Sequence, residues 1–392
     1  MKILYIHQYF KTPLEPGGNR SYWIAQEMIN SGHDVTMITS KNNLENKRTV
    51  KNIHGIKTIY LNVNYSQNMS FFMRANSFFS FSLRALKESL KHRKKIDLIY
   101  VTSTPLTVGI PALLLNILFK KPYVFEVRDL WPEVPIQMGA IKNKLLIKIL
   151  YFFEKSLYRR AKSIITLSPG MQDGVLSKGI KKNKVYMVPN MSKLDNFYPR
   201  PKDNSIVRHF KINAQSLNII YFGSIGKSNG LPKVIDFFGK TKHKVRLLIA
   251  GGGSELKKIQ NQILNNNIKN VHIIGEYDML MLSEIVNCCD ISLVSFLNLP
   301  ILDTNSPNKL FDSLSAGKPI LLNSRGWTKR LVETHKCGYY YDYGSFSSFE
   351  KTLGKIINNK DKLKTLGVNS RKLAASKFDK IRLTKKISLI LE

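Results

Sequence analysis

Short, predominantly apolar runs alternate along this chain with longer amphipathic stretches. Residues 3–6, 35–39, 98–101, 123–127, 164–168 and 185–188 are such runs, too brief for helices and bounded by polar or turn residues. Between the first two, Trp23, Ile24, Met28 and Ile29 recur at three- and four-residue spacing, which predicts an amphipathic helix ending at Ser31-Gly32. The same alternation resumes at Leu217, with apolar runs at 218–222, 245–250, 271–274, 291–295 and 320–323. Apolar strands without a polar face belong to parallel sheets covered by helices on both sides. The pattern therefore predicts an α/β chain built from two Rossmann-like, doubly wound parallel-sheet domains. Residues 191–216, irregular and polar with Pro199 and Pro201, lie between them.

The ends of the strands carry the candidate chemistry. In the second series three strands run directly into glycine, at Gly223, Gly251 and Gly275-Glu276, so their backbones crowd something at one sheet edge. The loop from Gly223 to Gly230 holds Lys227 and can cradle a phosphate, although it lacks the spacing of a P-loop. Gly17-Gly18 follows the first strand without spelling a dinucleotide fingerprint, and reads either as a loop that lets a ligand approach the backbone or as a flexible turn. Glu126, Arg128 and Asp129 sit at the carboxyl end of a strand, where α/β ligands bind; Arg128 and Asp129 can equally form a structural ion pair. Residues 306–319 pass from a polar loop into a short helix, a glycine stop and a strand. Ser306, Asn308, Lys309 and Leu310 then lie at a helix start that offers unpaired N–H groups to a phosphate, with Lys309 as an added cation. Asp312, one turn in, can accept hydrogen bonds from a ribose. The plainer alternative is a solvated helix N-terminus.

Composition narrows the classes. There are 61 Lys and Arg against 27 Asp and Glu, a formal net charge of +34 distributed over both halves, so polyanions are attracted anywhere on the surface. No zinc-finger, RNA-recognition or basic-zipper pattern accompanies that charge, which argues against a nucleic-acid partner. Three cysteines, Cys288, Cys289 and Cys337, with no CxxC, argue against a disulfide framework and a thiolate metal site. The first residues run straight into a strand without secretory-signal anatomy, and the longest apolar run, 108–119, falls short of a membrane span; the expected compartment is the cytosol. Residues 71–95 and 142–162 are nonetheless basic and rich in Phe, Leu and Ile, a composition that suits either helices resting on an anionic bilayer or core helices with solvated basic ends.

The sequence resembles the retaining GT-B glycosyltransferases of the family-4 type over nearly its whole length. The likeness rests on Glu15-Pro16-Gly17-Gly18, Gly32-His33-Asp34-Val35, Glu126-Val127-Arg128-Asp129-Leu130-Trp131-Pro132, Thr166-Leu167-Ser168, Val188-Pro189-Asn190, Tyr221-Phe222-Gly223, Ile249-Ala250-Gly251-Gly252-Gly253 and the segment 307–319. It is similar above all to bacterial transferases of O-antigen, capsule and exopolysaccharide assembly, including the fucosamine-transferase-like subgroup. The resemblance implies an acceptor-binding domain over 1–195, a linker over 196–216, a nucleotide-sugar-binding domain over 217–375 and a final helix, 376–392, crossing back to the first domain. It implies transfer with retention, no metal and no cofactor beyond the nucleotide-sugar co-substrate, for which UDP is the commonest choice. By position Asp312 matches the second acid of the family's Glu-x7-Glu motif and would hold the ribose, while the first acid falls at Thr304, beside Asp303. The family's Arg and Lys after the first strand of the second domain fall at Ser224 and Asn229, leaving Lys227 as the cation of that loop.

The expected function is transfer of a hexosyl or N-acetylhexosaminyl group from a nucleotide-sugar to a polyprenyl-diphosphate-linked saccharide, at the inner face of the cell membrane. Donor contacts are expected from Gly17, Gly18, Gly223, Lys227, Glu276, Ser306, Asn308, Lys309, Leu310 and Asp312, and catalytic ones from Glu126, Arg128 and Asp129. Two other readings fit less of the chain: a GT-B-shaped sugar-nucleotide epimerase, and a basic nucleic-acid-binding protein motivated by net charge alone.

Overall fold

The computed structural model describes residues 1–66, 69–213 and 215–392, apart from the side chain of Phe71. The chain forms two compact units. One comprises Met1–Thr12, Asn19–Pro189 and Ile381–Glu392; the other comprises Pro13–Gly18 and Asn190–Lys380.

The first unit holds an eight-stranded sheet in the order β3-β4-β2-β1-β5-β6-β7-β8, formed by β1 Lys2–Ile6, β2 Asp34–Lys41, β3 Arg48–Ile53, β4 Ile56–Asn62, β5 Leu98–Thr102, β6 Tyr123–Val127, β7 Ser163–Thr166 and β8 Val185–Met187. All pairs are parallel except β3 with β4. β5, β6 and β7 are buried at every position, which is what their predominantly apolar runs require. β3 escaped the sequence pattern because it is a largely exposed edge strand, Arg-Thr-Val-Lys-Asn-Ile, with no apolar face to read. The final helix, Lys380–Leu391, places Ser388 Oγ 3.0 Å from Ser31 Oγ and Leu391 O 2.8 Å from Lys162 Nζ, both within this unit.

The second unit holds a six-stranded sheet, β11-β10-β9-β12-β13-β14, from β9 Leu217–Phe222, β10 Val245–Ala250, β11 Val271–Gly275, β12 Ile291–Val294, β13 Ile320–Leu322 and β14 Gly338–Tyr340. Every pair is parallel. β9 is buried throughout and lies at the sheet's centre, with Ile219 and Tyr221 in the core on one face and Ile220 and Phe222 in the core on the other. The described residues of the stretch 196–216, expected as a linker, instead pack within this unit. Asp203 caps a helix, Asn204–His209, through the backbone N–H groups of Ser205 and Ile206, and Phe197, Ile206, Phe210 and Ile212 join the core. Its polar composition concealed those widely spaced anchors.

In each sheet the chain order reverses beside the first strand of the domain, between β1 and β5 and between β9 and β12. Ligands of doubly wound sheets bind outside the carboxyl ends of the strands at such points.

Candidate functional site

At the β9/β12 switch the backbone is open. Gly223 adopts φ +105°, and Gly251, at φ +151°, lies so close to it that a Cβ on Gly251 would stand 1.9 Å from the Gly223 carbonyl oxygen. Glycine is therefore obligatory where the β9 and β10 ends converge. Gly223 N donates to Ala250 O at 2.9 Å and Ile225 N to Gly252 O at 2.7 Å, which fixes the two loops together. Gly223, Ser224, Lys227 and Glu276 are exposed on this edge.

Against this opening stands the helix Asn308–Ser315, which has no side-chain cap at its N-terminus. Lys309 is only 8% exposed, and its ammonium lies 3.7 Å from the centroid of the Tyr221 ring and 3.3 Å from Asn229 Oδ1. Among the described residues it has no carboxylate partner. Burial accordingly pushes its pKa well below the ordinary lysine range. A ring face and one amide oxygen do not neutralise a desolvated charge. Next to an open glycine edge, the missing counter-ion is the property of an anion site.

Asp312, one turn further on, is fully engaged in a different way. Lys193 Nζ donates to both of its oxygens, at 2.7 and 2.9 Å, and both side chains are buried. Burial raises the Asp312 pKa and the Lys193 charge pulls it back. Asn190 is tied to the loop before the helix through its side-chain amide on Ser306 O. Leu310 is wholly buried and forms part of the core, so its side chain does not reach a ligand. Asp303 lies 3.9 Å from Arg325 Nε, and Thr304 Oγ1 donates to Ile301 O.

The first unit presents a second set of polar groups at the β1/β5 switch. His7, directly after β1, is buried with Nδ1 2.9 Å from Ser21 Oγ; burial foremost, with the Arg128 charge, holds its pKa well below the usual imidazole range, so it is neutral. After β6, Arg128 N donates to Ser103 Oγ at 3.0 Å and Thr104 Oγ1 donates to Asp129 Oδ2 at 3.0 Å. Burial raises the Asp129 pKa against the opposing pull of Arg128. Glu126 does something else. Its Oε1 accepts from Arg20 Nε at 2.8 Å and its Oε2 from Thr102 Oγ1 at 2.9 Å, with both charged side chains almost completely buried. Arg20 spends its remaining donors on Pro189 O at 2.7 Å and Val188 O at 3.0 Å.

Residues 17–191 match the glycosyl transferase 4-like domain family, and residues 203–373 match the glycosyl transferases group 1 family. The chain is a GT-B glycosyltransferase. An uncharacterized glycosyltransferase of Methanocaldococcus jannaschii is 21% identical, over 70% of this chain and 69% of its own. A putative colanic acid biosynthesis glycosyl transferase, WcaI of Escherichia coli K12, is 22% identical over 54% of each chain. The fold is similar to that of sucrose-phosphate synthase from Thermosynechococcus elongatus, with a TM-score of 0.82 at 15% identity over 100% of this chain and 98% of that one. It is also similar to Anabaena HepE in complex with UDP-glucose (TM-score 0.75, 16% identity, 100% and 99% covered). WaaG, a glycosyltransferase involved in lipopolysaccharide biosynthesis, gives a TM-score of 0.70 at 16% identity over 99% of each chain.

Within this transferase the expected site residues separate into groups. Gly223, Lys227, Glu276, Ser306, Asn308 and Lys309 all belong to the second unit, and the loop Pro13–Gly18 with Gly17 and Gly18 also groups with that unit. Arg128 and Asp129 remain at the strand end of the first. Two expectations change: Glu126 is bound up as a buried structural ion pair, unavailable to a substrate, and Leu310 has its side chain in the core and its N–H on Pro307 O at 3.1 Å. Sequence reasoning missed His7, Arg20, Lys193, Tyr221 and Asn229. His7 left a usable signal, as the polar residue directly after the first strand, and Tyr221 and Asn229 stood at motif and family positions without being given a role. Among the described residues no group of three or more His, Cys, Asp or Glu side chains is placed to hold a metal ion.

Proposed function

We propose that this glycosyltransferase moves a hexosyl or N-acetylhexosaminyl group from a UDP-sugar to a polyprenyl-diphosphate-linked saccharide. It would act with retention of configuration and without a metal, in the assembly of bacterial O-antigen, capsule or exopolysaccharide. The observation that carries the reading is Lys309, a buried ammonium without a counter-ion beside the Gly223 edge. The diphosphate of a sugar nucleotide supplies the missing charge. Departure of that diphosphate builds negative charge on its oxygens, which Lys309, the open N–H groups of the helix Asn308–Ser315 and exposed Lys227 stabilise. Asp312 holds the ribose only by sharing its carboxylate with Lys193, which orients it and opposes the effect of burial on its pKa. Arg128 and Asp129 orient the acceptor. The UDP-bound HepE structure and the polysaccharide-related WaaG and WcaI support the choice of donor and pathway class.

The lipid-linked acceptor rests on one face of the first unit. The helix Phe71–His92 exposes Phe72 (82%), Met73, Phe79 and Leu83, and the helix Lys144–Arg160 exposes Leu145, Ile149 and Phe152 (75%). Both pack against the helix Gly109–Phe119, whose Leu118 is exposed as well. Arg84, Lys87, Lys144 and Lys148 are exposed on the two outer helices. Apolar side chains beside cations favour peripheral attachment to an anionic bilayer. No helix among the described residues is long and apolar enough to cross a membrane.

A thermal-shift panel of UDP-, GDP- and dTDP-sugars tests the donor, with UDP-sugars expected to give the largest shift. A second reading, transfer to a soluble sugar phosphate, is favoured by the full-length likeness to sucrose-phosphate synthase. Turnover with a sugar-phosphate acceptor in the absence of lipid would select it over the first.

A further inference from the structure

We propose that the second unit carries another anion site, at the sheet edge opposite the Gly223 opening, and that it takes an organic phosphate with an apolar body. A cavity of about 790 Å³ is lined there by Leu217 at the start of β9, Asp290 just before β12 and Pro319 just before β13. All strands of this sheet are parallel, so these amino-terminal ends lie at the far edge from Gly223. The volume falls within the roughly 300–1,000 Å³ typical of small-molecule pockets.

The outer wall is one face of the helix Asp361–Leu373, which brings Leu363, Lys364, Gly367, Val368 and Arg371 to the cavity at helical spacing. Six cations line the space: Lys202, Lys318, Lys360, Lys364, Arg371 and Lys372. They face one acid, Asp290, which is already spent. Its Oδ1 accepts from Lys202 at 2.9 Å, and its Oδ2 accepts from Asn218 N at 2.9 Å and Asn218 Nδ2 at 3.0 Å. Lys318 and Arg371 donate to backbone carbonyls, Lys318 to Asn287 O and Cys289 O at 2.6 and 2.8 Å, and Arg371 to Ser315 O at 2.7 Å. Carbonyls orient these cations without cancelling their charge. Lys360, Lys364 and Lys372 have no ion pair among the described residues.

A solvated lysine face would be convex and polar between its charges. This one is concave, which concentrates the positive potential, and apolar between the charges: Leu217, Pro319, Leu363 and Val368, the last 62% exposed, stand among the lysines. The concavity favours a discrete molecule over a bilayer, and the apolar walls favour an organic phosphate over the bare ion. The site is distinct from the donor edge, and its existence does not depend on the donor assignment.

The test is calorimetric titration of 1-naphthyl phosphate and of inorganic phosphate into wild type, Lys309→Met and the double variant Lys364→Glu/Lys372→Glu. These two lysines are exposed, so a melting curve like that of wild type is expected and is checked first. We expect 1-naphthyl phosphate to bind Lys309→Met as it binds wild type at this site, at least tenfold more weakly to the double variant, and more tightly than inorganic phosphate throughout. Unchanged binding to the double variant, loss of all binding in Lys309→Met, absence of binding to wild type, or equal affinity for the two probes would each overturn the proposal.

Discussion

Two buried charges, one in each unit, behave in opposite ways. In the first unit Arg20 and Glu126 neutralise one another, and every remaining guanidinium or carboxylate contact goes to a hydroxyl or a backbone carbonyl. In the second, Lys309 is equally enclosed yet meets only a ring face and an amide oxygen. The first arrangement is complete without a ligand, and the second is incomplete. A buried charged residue is thus no indication of function by itself; the indication is whether the fold has already supplied its partner.

The comparison is broken or sharpened by graded substitutions. Arg20→Ala strands Glu126 in the interior and should cost about 3–5 kcal/mol in chemical denaturation; a loss below about 1 kcal/mol would mean that the pair is dispensable to the fold. Lys309→Met should do the reverse, leaving the unliganded protein at least as stable while removing a ligand stabilisation of about 2.7 kcal/mol expected at 100 times the dissociation constant. A full thermal shift with UDP-sugar in that variant would remove Lys309 from the donor site. Asp129→Asn should lower turnover by about 10²-fold, the scale of misplacing a bound reactant by about 1 Å. The UDP-sugar shift should stay unchanged, and a parallel loss of donor binding would contradict the assignment to the acceptor. Phe152→Ser should weaken sedimentation with anionic vesicles by about 2 kcal/mol, the scale of burying one phenyl side chain, and salt should weaken it further. The smallest effect is a slope. Because burial lowers the Lys309 pKa, the unfolded chain holds that proton more tightly. Stability therefore rises with pH between the folded pKa and the ordinary lysine range, by at most about 1.4 kcal/mol per pH unit. Melting curves of wild type and Lys309→Met across that range should differ in slope, and identical slopes would show that the ammonium is not desolvated.

The parts legible beforehand were those written in neighbouring residues. The predominantly apolar runs at β5, β6, β9 and β10, and the glycines directly after β9 and β10, needed only local pattern, because a strand buried on both faces is mostly apolar. β3 and the helix Asn204–His209 were hidden, one by exposure at the sheet edge and the other by polar residues around a few apolar anchors. At the candidate site, the helix start marks Lys309 in the sequence, whereas Lys193 sits in an irregular polar segment with nothing local to mark it. Asp312 was read as a free ribose ligand because its partner was invisible.

The sequence by itself determined the two α/β domains, the positions where their strands end, and the glycines that keep one edge open. Tertiary structure alone decided which charges are satisfied. Arg20 reaches Glu126 across 106 positions of chain, and Lys193 reaches Asp312 across 119. A desolvated charge needs a partner within hydrogen-bond distance, and only the folded topology determines which residue, if any, arrives there. For Lys309 no carboxylate arrives among the described residues.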